Sequence, residues 1–225
     1  MNDEKKAVFR VSEWLRNSGP DGEIVLSSRV RLARNLQDIP FPYLASDSQT
    51  AAVMEQIHET QSTQADAFGQ MTFLPMSELS ALERQVMVEK YLISPALIKE
   101  QHNSAVLLRE DEAVSIMINE EDHLRIQCLL PGLQLEQALQ QAEFYDDLLE
   151  KKLDYAFDEQ WGYLTVCPTN VGTGLRASVM VHLPALVLTK QISRVLSAIA
   201  QVGLAVRGLY GEGSDITGNL VQISN

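Results

Sequence analysis

Two cysteines in 225 residues, Cys128 and Cys167, stand far apart and without metal-ligand spacing. That scarcity argues against a disulfide framework and fits free thiols in a reducing, cytoplasmic setting. No run of about eighteen apolar residues exists, so no membrane-spanning helix is expected. Met1 to Arg10 is charged and lacks an apolar stretch before a cleavage site, so it does not read as a secretory leader. Basic residues are also in deficit, with Lys+Arg 18 against Asp+Glu 30 and a net charge of −12. Such a chain is not expected to bind nucleic acid directly, because duplex binding needs a basic surface. Internal repeats, low-complexity tracts and long linkers are absent as well.

What is present is a 45% hydrophobic composition, enough for one large domain or a catalytic core with a small appendage. Asn17-Ser-Gly-Pro-Asp-Gly22 is turn-rich and separates a short leading helix, within a segment 1–20, from a domain over 21–225. Ile24 to Leu32 alternates as a strand. Arg29 and Arg31 then share one face, while Val30 and Leu32 face the core. Helical spacing covers 47–61, and Ser80-Ala-Leu-Glu83 matches a capping box at the start of a second helix through Tyr91. Strands over 113–118 and 124–130 read as a hairpin whose tip is Asn119-Glu-Glu-Asp-His123. A helix over about 134–153 follows. Further strands are expected over 162–166, 175–183, 203–209 and 219–224, and a helix over about 186–201. The pattern predicts an α+β fold with a mainly antiparallel sheet flanked by helices.

Arginine, the better residue for bidentate capture of phosphate oxygens, is concentrated at Arg29, Arg31 and Arg34 and recurs at Arg125, Arg176 and Arg207. Arg29 and Arg31, about 7 Å apart along a strand, can span adjacent phosphates. They can equally belong to a salt-bridged exposed face. The carboxylates Glu120, Glu121 and Asp122 read either as a solvated turn or as a site for a cation such as a guanidinium. Arg125, beside apolar neighbours, suits an anion. Cys167-Pro-Thr-Asn-Val-Gly-Thr-Gly174 places a thiol at a strand end near hydroxyls. It is either a buried small hydrophobe or a functional thiolate. Arg207-Gly-Leu-Tyr-Gly-Glu-Gly213 puts an arginine and a glutamate on a glycine-rich loop, or forms an ordinary turn with charged rims. No Walker A loop and no His-Arg-Asp motif is present, which sets aside P-loop enzymes and eukaryote-type protein kinases.

Taken in order, Ser27-Ser-Arg-Val-Arg31, Asn119-Glu-Glu-Asp-His-Leu-Arg125, Cys167 through Ser178 and Arg207 through Gly213 resemble the phosphagen (guanidino) kinase family. The short N-terminus and Arg-Gly-Leu-Tyr-Gly-Glu-Gly are similar to its bacterial protein-arginine kinase branch. The resemblance implies transfer of the ATP γ-phosphoryl group to arginine in proteins, with Mg2+ held by phosphates and water and no protein metal ligand. It assigns Glu121, Glu212 and Cys167 to catalysis at the substrate guanidinium. It assigns nucleotide binding to Ser27, Ser28, Arg29, Val30, Arg31, Tyr91 and Arg125. Arg176, Ala177, Ser178, Val179 and Met180 join that set, as do Arg207, Gly208, Leu209, Tyr210, Gly211 and Glu212. Tyr91 stands where the branch often has His. By the same resemblance the chain stops short of the family's full length, lacking a further helical part, a dimer contact and a phosphoarginine pocket. The implied partners are proteins with exposed arginine, an activator protein, a transcriptional repressor and a Clp-type unfoldase, with a homodimeric parent. A kinase for a free guanidino compound and a non-catalytic nucleotide-binding remnant or adaptor are the competing expectations.

Overall fold

Alternation in Val25-Leu-Ser-Ser-Arg-Val-Arg-Leu-Ala-Arg34 produces the central strand, β1 (Val25–Arg34), with Val30 and Leu32 buried. The computed structural model describes residues 11–16, 19–99, 103–207 and 217–225. Around β1 run β2 (Met71–Pro75), β3 (Ala105–Arg109), β4 (Val114–Ile118), β5 (Leu124–Pro131), β8 (Leu175–His182), β9 (Ala205–Arg207) and β10 (Leu220–Ser224). They form one sheet in the order β2-β3-β4-β5-β1-β8-β10-β9, each neighbouring pair antiparallel. The two-residue strands β6 (Phe157–Asp158) and β7 (Gly162–Tyr163) make a separate ribbon. The helices are α1 (Glu13–Arg16), α2 (Asp47–Thr63), α3 (Ala65–Phe68), α4 (Ala81–Glu89), α5 (Pro95–Lys99), α6 (Leu135–Glu150), α7 (Pro184–Leu188) and α8 (Ile192–Gln201). The α+β, mainly antiparallel expectation holds.

The two faces of the sheet are covered unequally, and this decides where the site lies. On the back face Val30, Leu32, Ile116 and Ile126 pack with Val53 and Ile57 of α2 and Ala138, Ala142 and Leu149 of α6. Each large apolar side chain fully buried there contributes about 1.5–3 kcal/mol over exposure. At one end the front face is covered where Val106, Leu108 and Met117 meet Met87 of α4 and Leu97 of α5. Over β5, β1, β8, β10 and β9 it carries Arg125, Arg29, Arg31, Arg176, Gln222 and Arg207, interspersed with apolar Leu129 and Met180.

Several elements depart from expectation for identifiable reasons. β3, Ala105-Val-Leu-Leu-Arg, carries no alternation because both of its faces are buried: Leu107 joins the back cluster and Leu108 the front one. β2 is an edge strand ending in Pro75, which cannot donate to a ladder. The strand expected over 162–166 shrinks to Gly162–Tyr163. Leu164 N–H instead donates to Ala156 O, and Val166 N–H donates to the Asp122 side chain. The helix expected over 186–201 breaks into α7 and α8 at residues 189–191, where Lys190 takes φ 58. The strand expected over 203–209 is Ala205–Arg207 as far as the described residues reach. Ser80 caps α4 as expected: its hydroxyl accepts from Glu83 N–H, and the Glu83 carboxylate accepts from Ser80 N–H at 2.8 Å.

Candidate active site

Strand register gathers the arginines. Arg31 on β1 lies opposite Arg176 on β8, and Arg29 opposite Ser178. Arg125 on β5 lies opposite Ala33, and Arg207 on β9 opposite Gln222, itself paired with Met180. Directly opposed residues of an antiparallel pair share a face, so five guanidinium groups rise from one open surface. Burial and mutual repulsion act on them together. Arg29 is lowered to about 10, first by burial and then by Arg125, with Arg176 and Arg207 adding to it and Tyr91 opposing. Arg31 is held well below the ordinary value by burial, then by Arg29, Arg125 and Arg176, with Glu120 opposing. A guanidinium stays charged in proteins, so both count as cations. A polyanion placed over this face would relieve the repulsion that depresses them.

Two cavities share this face. The larger, about 500 Å³, is lined by Arg31, Arg125, Arg176 and Arg207 together with Glu121 and Cys167. The smaller, about 220 Å³, is mostly apolar and is lined by Ser27, Arg29, Tyr91, Leu129 and Met180, with Trp14. They adjoin along β1 and β8, where Arg29 and Ser178 belong to the small cavity and Arg31 and Arg176 to the large one.

The three tip carboxylates, alike in sequence, have different work. The Glu120 side chain is 3% exposed; it accepts from Ser94 Oγ at 2.5 Å and pairs with Arg125 at 2.8 Å, so it orients that arginine. Asp122 is fully buried. Its Oδ1 accepts from Asn35 Nδ2 at 2.6 Å and from Val166 N–H at 2.8 Å, one residue before Cys167. Burial pushes its pKa up, against these hydrogen bonds. Glu121 alone projects outward, 41% exposed, and reaches Arg125 at 2.7 Å. Beside them His123 is buried, and its Nδ1 accepts from Leu36 N–H at 3.0 Å while Nε2 lies 3.0 Å from Pro40 O. That pairing requires the proton on Nε2 of a neutral ring, and burial lowers the pKa to about 4.

The Cys167 loop is fixed at both ends. Asp122 holds its start. At its end Arg34 donates from Nη1 to Thr173 O at 2.9 Å and from Nη2 to Asp146 at 2.5 Å. The Arg34 guanidinium also lies 3.6 Å from the centre of the Tyr163 ring. Gly174, at φ 66, sits so close to β1 that a Cβ would come within 2.5 Å of Ala33 O. The Cys167 thiol itself lies 3.0 Å from Thr169 Oγ1 and is partly exposed.

Of the residues singled out from sequence, Ser27, Arg29, Arg31, Tyr91, Arg125, Arg176, Ser178, Met180 and Arg207 meet on this face with Glu121 and Cys167. Ser28, Val30, Ala177 and Val179 have the opposite parity. Ser28 Oγ donates to Gly132 O and accepts from Gln134 N–H. Val30, Ala177 and Val179 pack into the back clusters, so these four side chains do not meet the arginines. Gly208, Leu209, Tyr210, Gly211 and Glu212 lie outside the described residues. Arg34, Asn35, Asp122 and His123 carry positioning roles that local sequence did not reveal.

The chain matches the model of the ATP:guanido phosphotransferase C-terminal catalytic domain over residues 52–225. It belongs to the ATP:guanido phosphotransferase family. Among curated relatives of this family, the protein-arginine kinase of Brevibacillus brevis is 58% identical over 215 residues, covering 95% of this chain and 60% of the relative. That of Moorella thermoacetica is 56% identical over 220 residues, covering 96% and 62%. The chain therefore spans about three fifths of the length of these relatives. The fold is shared with the duplicated taurocyamine kinase of Schistosoma mansoni bound to transition-state-analogue components, at TM-score 0.79 and 23% identity over 96% of this chain and 32% of that one. A lombricine kinase structure matches at TM-score 0.74 and 23% identity, covering 91% of this chain and 60% of that one.

Proposed function

We propose that this chain carries the catalytic centre of a protein-arginine kinase, which transfers the γ-phosphoryl group of ATP to a guanidino nitrogen of arginine side chains in proteins. One observation carries the reading: Glu121, alone of the tip carboxylates, is exposed into a cavity that it shares with Cys167 and four arginines. Phosphoryl transfer has little covalent chemistry for a protein to perform, so positioning and charge dominate. The arginine face supplies both for a triphosphate, and the adjoining apolar cavity suits its base. A guanidinium is protonated at pH 7 and lacks a free nucleophilic lone pair. As its nitrogen bonds to the γ-phosphorus and the bond to ADP breaks, the proton passes to a carboxylate. Glu121 is placed for that role, Glu212 is the proposed second carboxylate, and Cys167 is proposed to add negative character beside the guanidinium.

The residues fit magnesium only as a companion of the nucleotide. No group of three or more His, Cys, Asp or Glu among the described residues is arranged for a metal. Mg2+ on the phosphates would supply charge neutralisation, with the arginines binding the remaining oxygens. Proteins with exposed arginine are the proposed substrates, in keeping with the named activity of relatives 58% and 56% identical. Among the described residues no helix is long and apolar enough to cross a membrane. Cytoplasmic location, an activator, a repressor, a Clp-type unfoldase and a homodimeric parent complete the proposal by resemblance. The test is competition between an arginine-rich protein and free arginine for ATP, read by mass spectrometry under acid-free handling because the N–P bond is acid-labile. Preferential protein labelling is expected, whereas equal specificity constants would favour a free-guanidino kinase.

A further inference from the structure

We propose that the N-terminal segment 11–16 is a working part of the nucleotide site, with Trp14 forming the wall that recognises a purine base. This rests on the functional reading above and names a residue that no motif marks. Trp14 and Leu15 line the 220 Å³ cavity together with Leu129, Met180 and Arg29. That cavity is less than half the size of its 500 Å³ neighbour, which holds the other arginines. A base in the small cavity and phosphates over the large one would occupy both in line along β1 and β8.

Two aromatic rings form the corner of the small cavity. Trp14 and Tyr91 have centroids 6.0 Å apart and planes at 67°. An open corner of this kind offers a flat heterocycle one ring face and one ring edge, both favourable aromatic geometries. The indole N–H adds a specific cue. It is buried and finds no hydrogen-bond acceptor among the described residues. Buried donors are nearly always paired, and a small shift of the ring on binding would let it meet the ring-nitrogen acceptors that a purine brings and a bare polyphosphate lacks.

The corner is also built, not incidental. One buried carboxylate, Glu112, accepts from Ser12 Oγ and pairs with Lys90. Ser12 lies two residues before Trp14 and Lys90 one residue before Tyr91, so a single anchor sets both rings. Tyr91 itself ends α4 in a left-handed conformation, φ 58, with Leu92 N–H donating to Met87 O and Tyr91 N–H to Val88 O. This is the Schellman arrangement, whose left-handed position is usually glycine. A tyrosine held there, with Gln127 Nε2 donating to its carbonyl at 2.7 Å, carries backbone strain of the kind that gathers at ligand sites.

The chain has two tryptophans, so Trp161→Phe leaves Trp14 as the sole indole reporter. In that protein ATP should change the tryptophan emission at saturating ligand, and inorganic tripolyphosphate should not. Calorimetry on Trp14→Leu should then show ATP affinity reduced by about tenfold or more, the scale of one aromatic contact with its hydrogen bond. Tripolyphosphate affinity should stay within about twofold, which also shows that the arginine face is still folded. Unchanged ATP affinity in Trp14→Leu, or a silent Trp14 signal at saturating ATP, overturns the proposal while leaving the phosphate site intact. Equal losses for both ligands also overturn it, since Trp14 would then act only through folding. If neither ligand binds the parent chain, the functional reading falls along with it.

Discussion

Replacing Asp122 by alanine removes an acceptor that joins the carboxylate tip to the thiol loop. In the native chain its Oδ1 receives Asn35 Nδ2 at 2.6 Å and Val166 N–H at 2.8 Å. An unsatisfied buried donor costs about 1–3 kcal/mol. Asn35 Nδ2 keeps a second acceptor in Leu164 O at 3.0 Å, so its loss lies at the low end. The carboxylate also has its own burial cost, visible in its raised pKa and in an Oδ2 without a hydrogen-bond partner among the described residues. Removing that charge returns part of the gross loss of about 2–4 kcal/mol, and a net destabilisation of about 1–3 kcal/mol is expected for Asp122→Ala. Asp122→Asn keeps the shared acceptor and should lose about 1 kcal/mol or less. Urea melts with unchanged slope read both values directly. Phosphoryl transfer should fall further in the alanine variant, because Cys167 follows Val166 and loses its fixed distance from Glu121. Stabilities of the two variants within about 0.5 kcal/mol of each other would refute this account of the tip.

The arginine face predicts unusual behaviour of Arg31, which burial and like charges hold well below its ordinary pKa. Arg31→Met should leave the unliganded chain at least as stable as wild type, yet sharply reduce the rise in Tm on adding tripolyphosphate. For wild type at a hundred times Kd that rise should be about 5–10 °C, from about 2.7 kcal/mol of linkage. An undiminished rise would remove Arg31 from the site. His123 predicts a pH dependence. Its pKa falls from 6.5 to about 4 on folding, so the unfolded chain binds the proton first as pH drops below 6.5. Stability is therefore lost between pH 6.5 and 4, by at most about 1.4 kcal/mol per pH unit, and the ring contributes no slope above that window. The raised carboxyl of Asp122 acts in the opposite sense, so the test is the difference between wild type and His123→Gln in urea midpoints across pH. An identical slope in both proteins contradicts the assignment.

Much of this site was legible in sequence because it rests on strand parity and short motifs. The alternation around Arg29 and Arg31, the capping box at Ser80 and the hairpin around Glu121 are local patterns, and each appears where local physics places it. β3 was not legible, since a strand buried on both faces looks like any apolar run. Nor were the separate tasks of Glu120, Glu121 and Asp122. Those depend on Ser94, Asn35 and Val166, which are 26, 87 and 44 residues from their partners. The same parity that put Arg29 and Arg31 in front turned Ser28, Val30, Ala177 and Val179 to the back, a distinction that a contiguous motif hides. Trp14 was invisible for a similar reason: its corner is closed by Tyr91 through Glu112, a contact across a hundred residues.

The most direct test of the central claim is the phosphorylation rate of a protein substrate by Glu121→Gln. The substitution keeps the shape of the side chain and its hydrogen-bonding reach but removes the charge and the proton acceptor. Arginine phosphorylation followed by mass spectrometry should fall by about the 10²–10⁴-fold typical of losing a general base. ATP affinity should change little, because the phosphates are assigned to the arginines. A folded Glu121→Gln chain that labels protein arginine at the wild-type rate would contradict the mechanism.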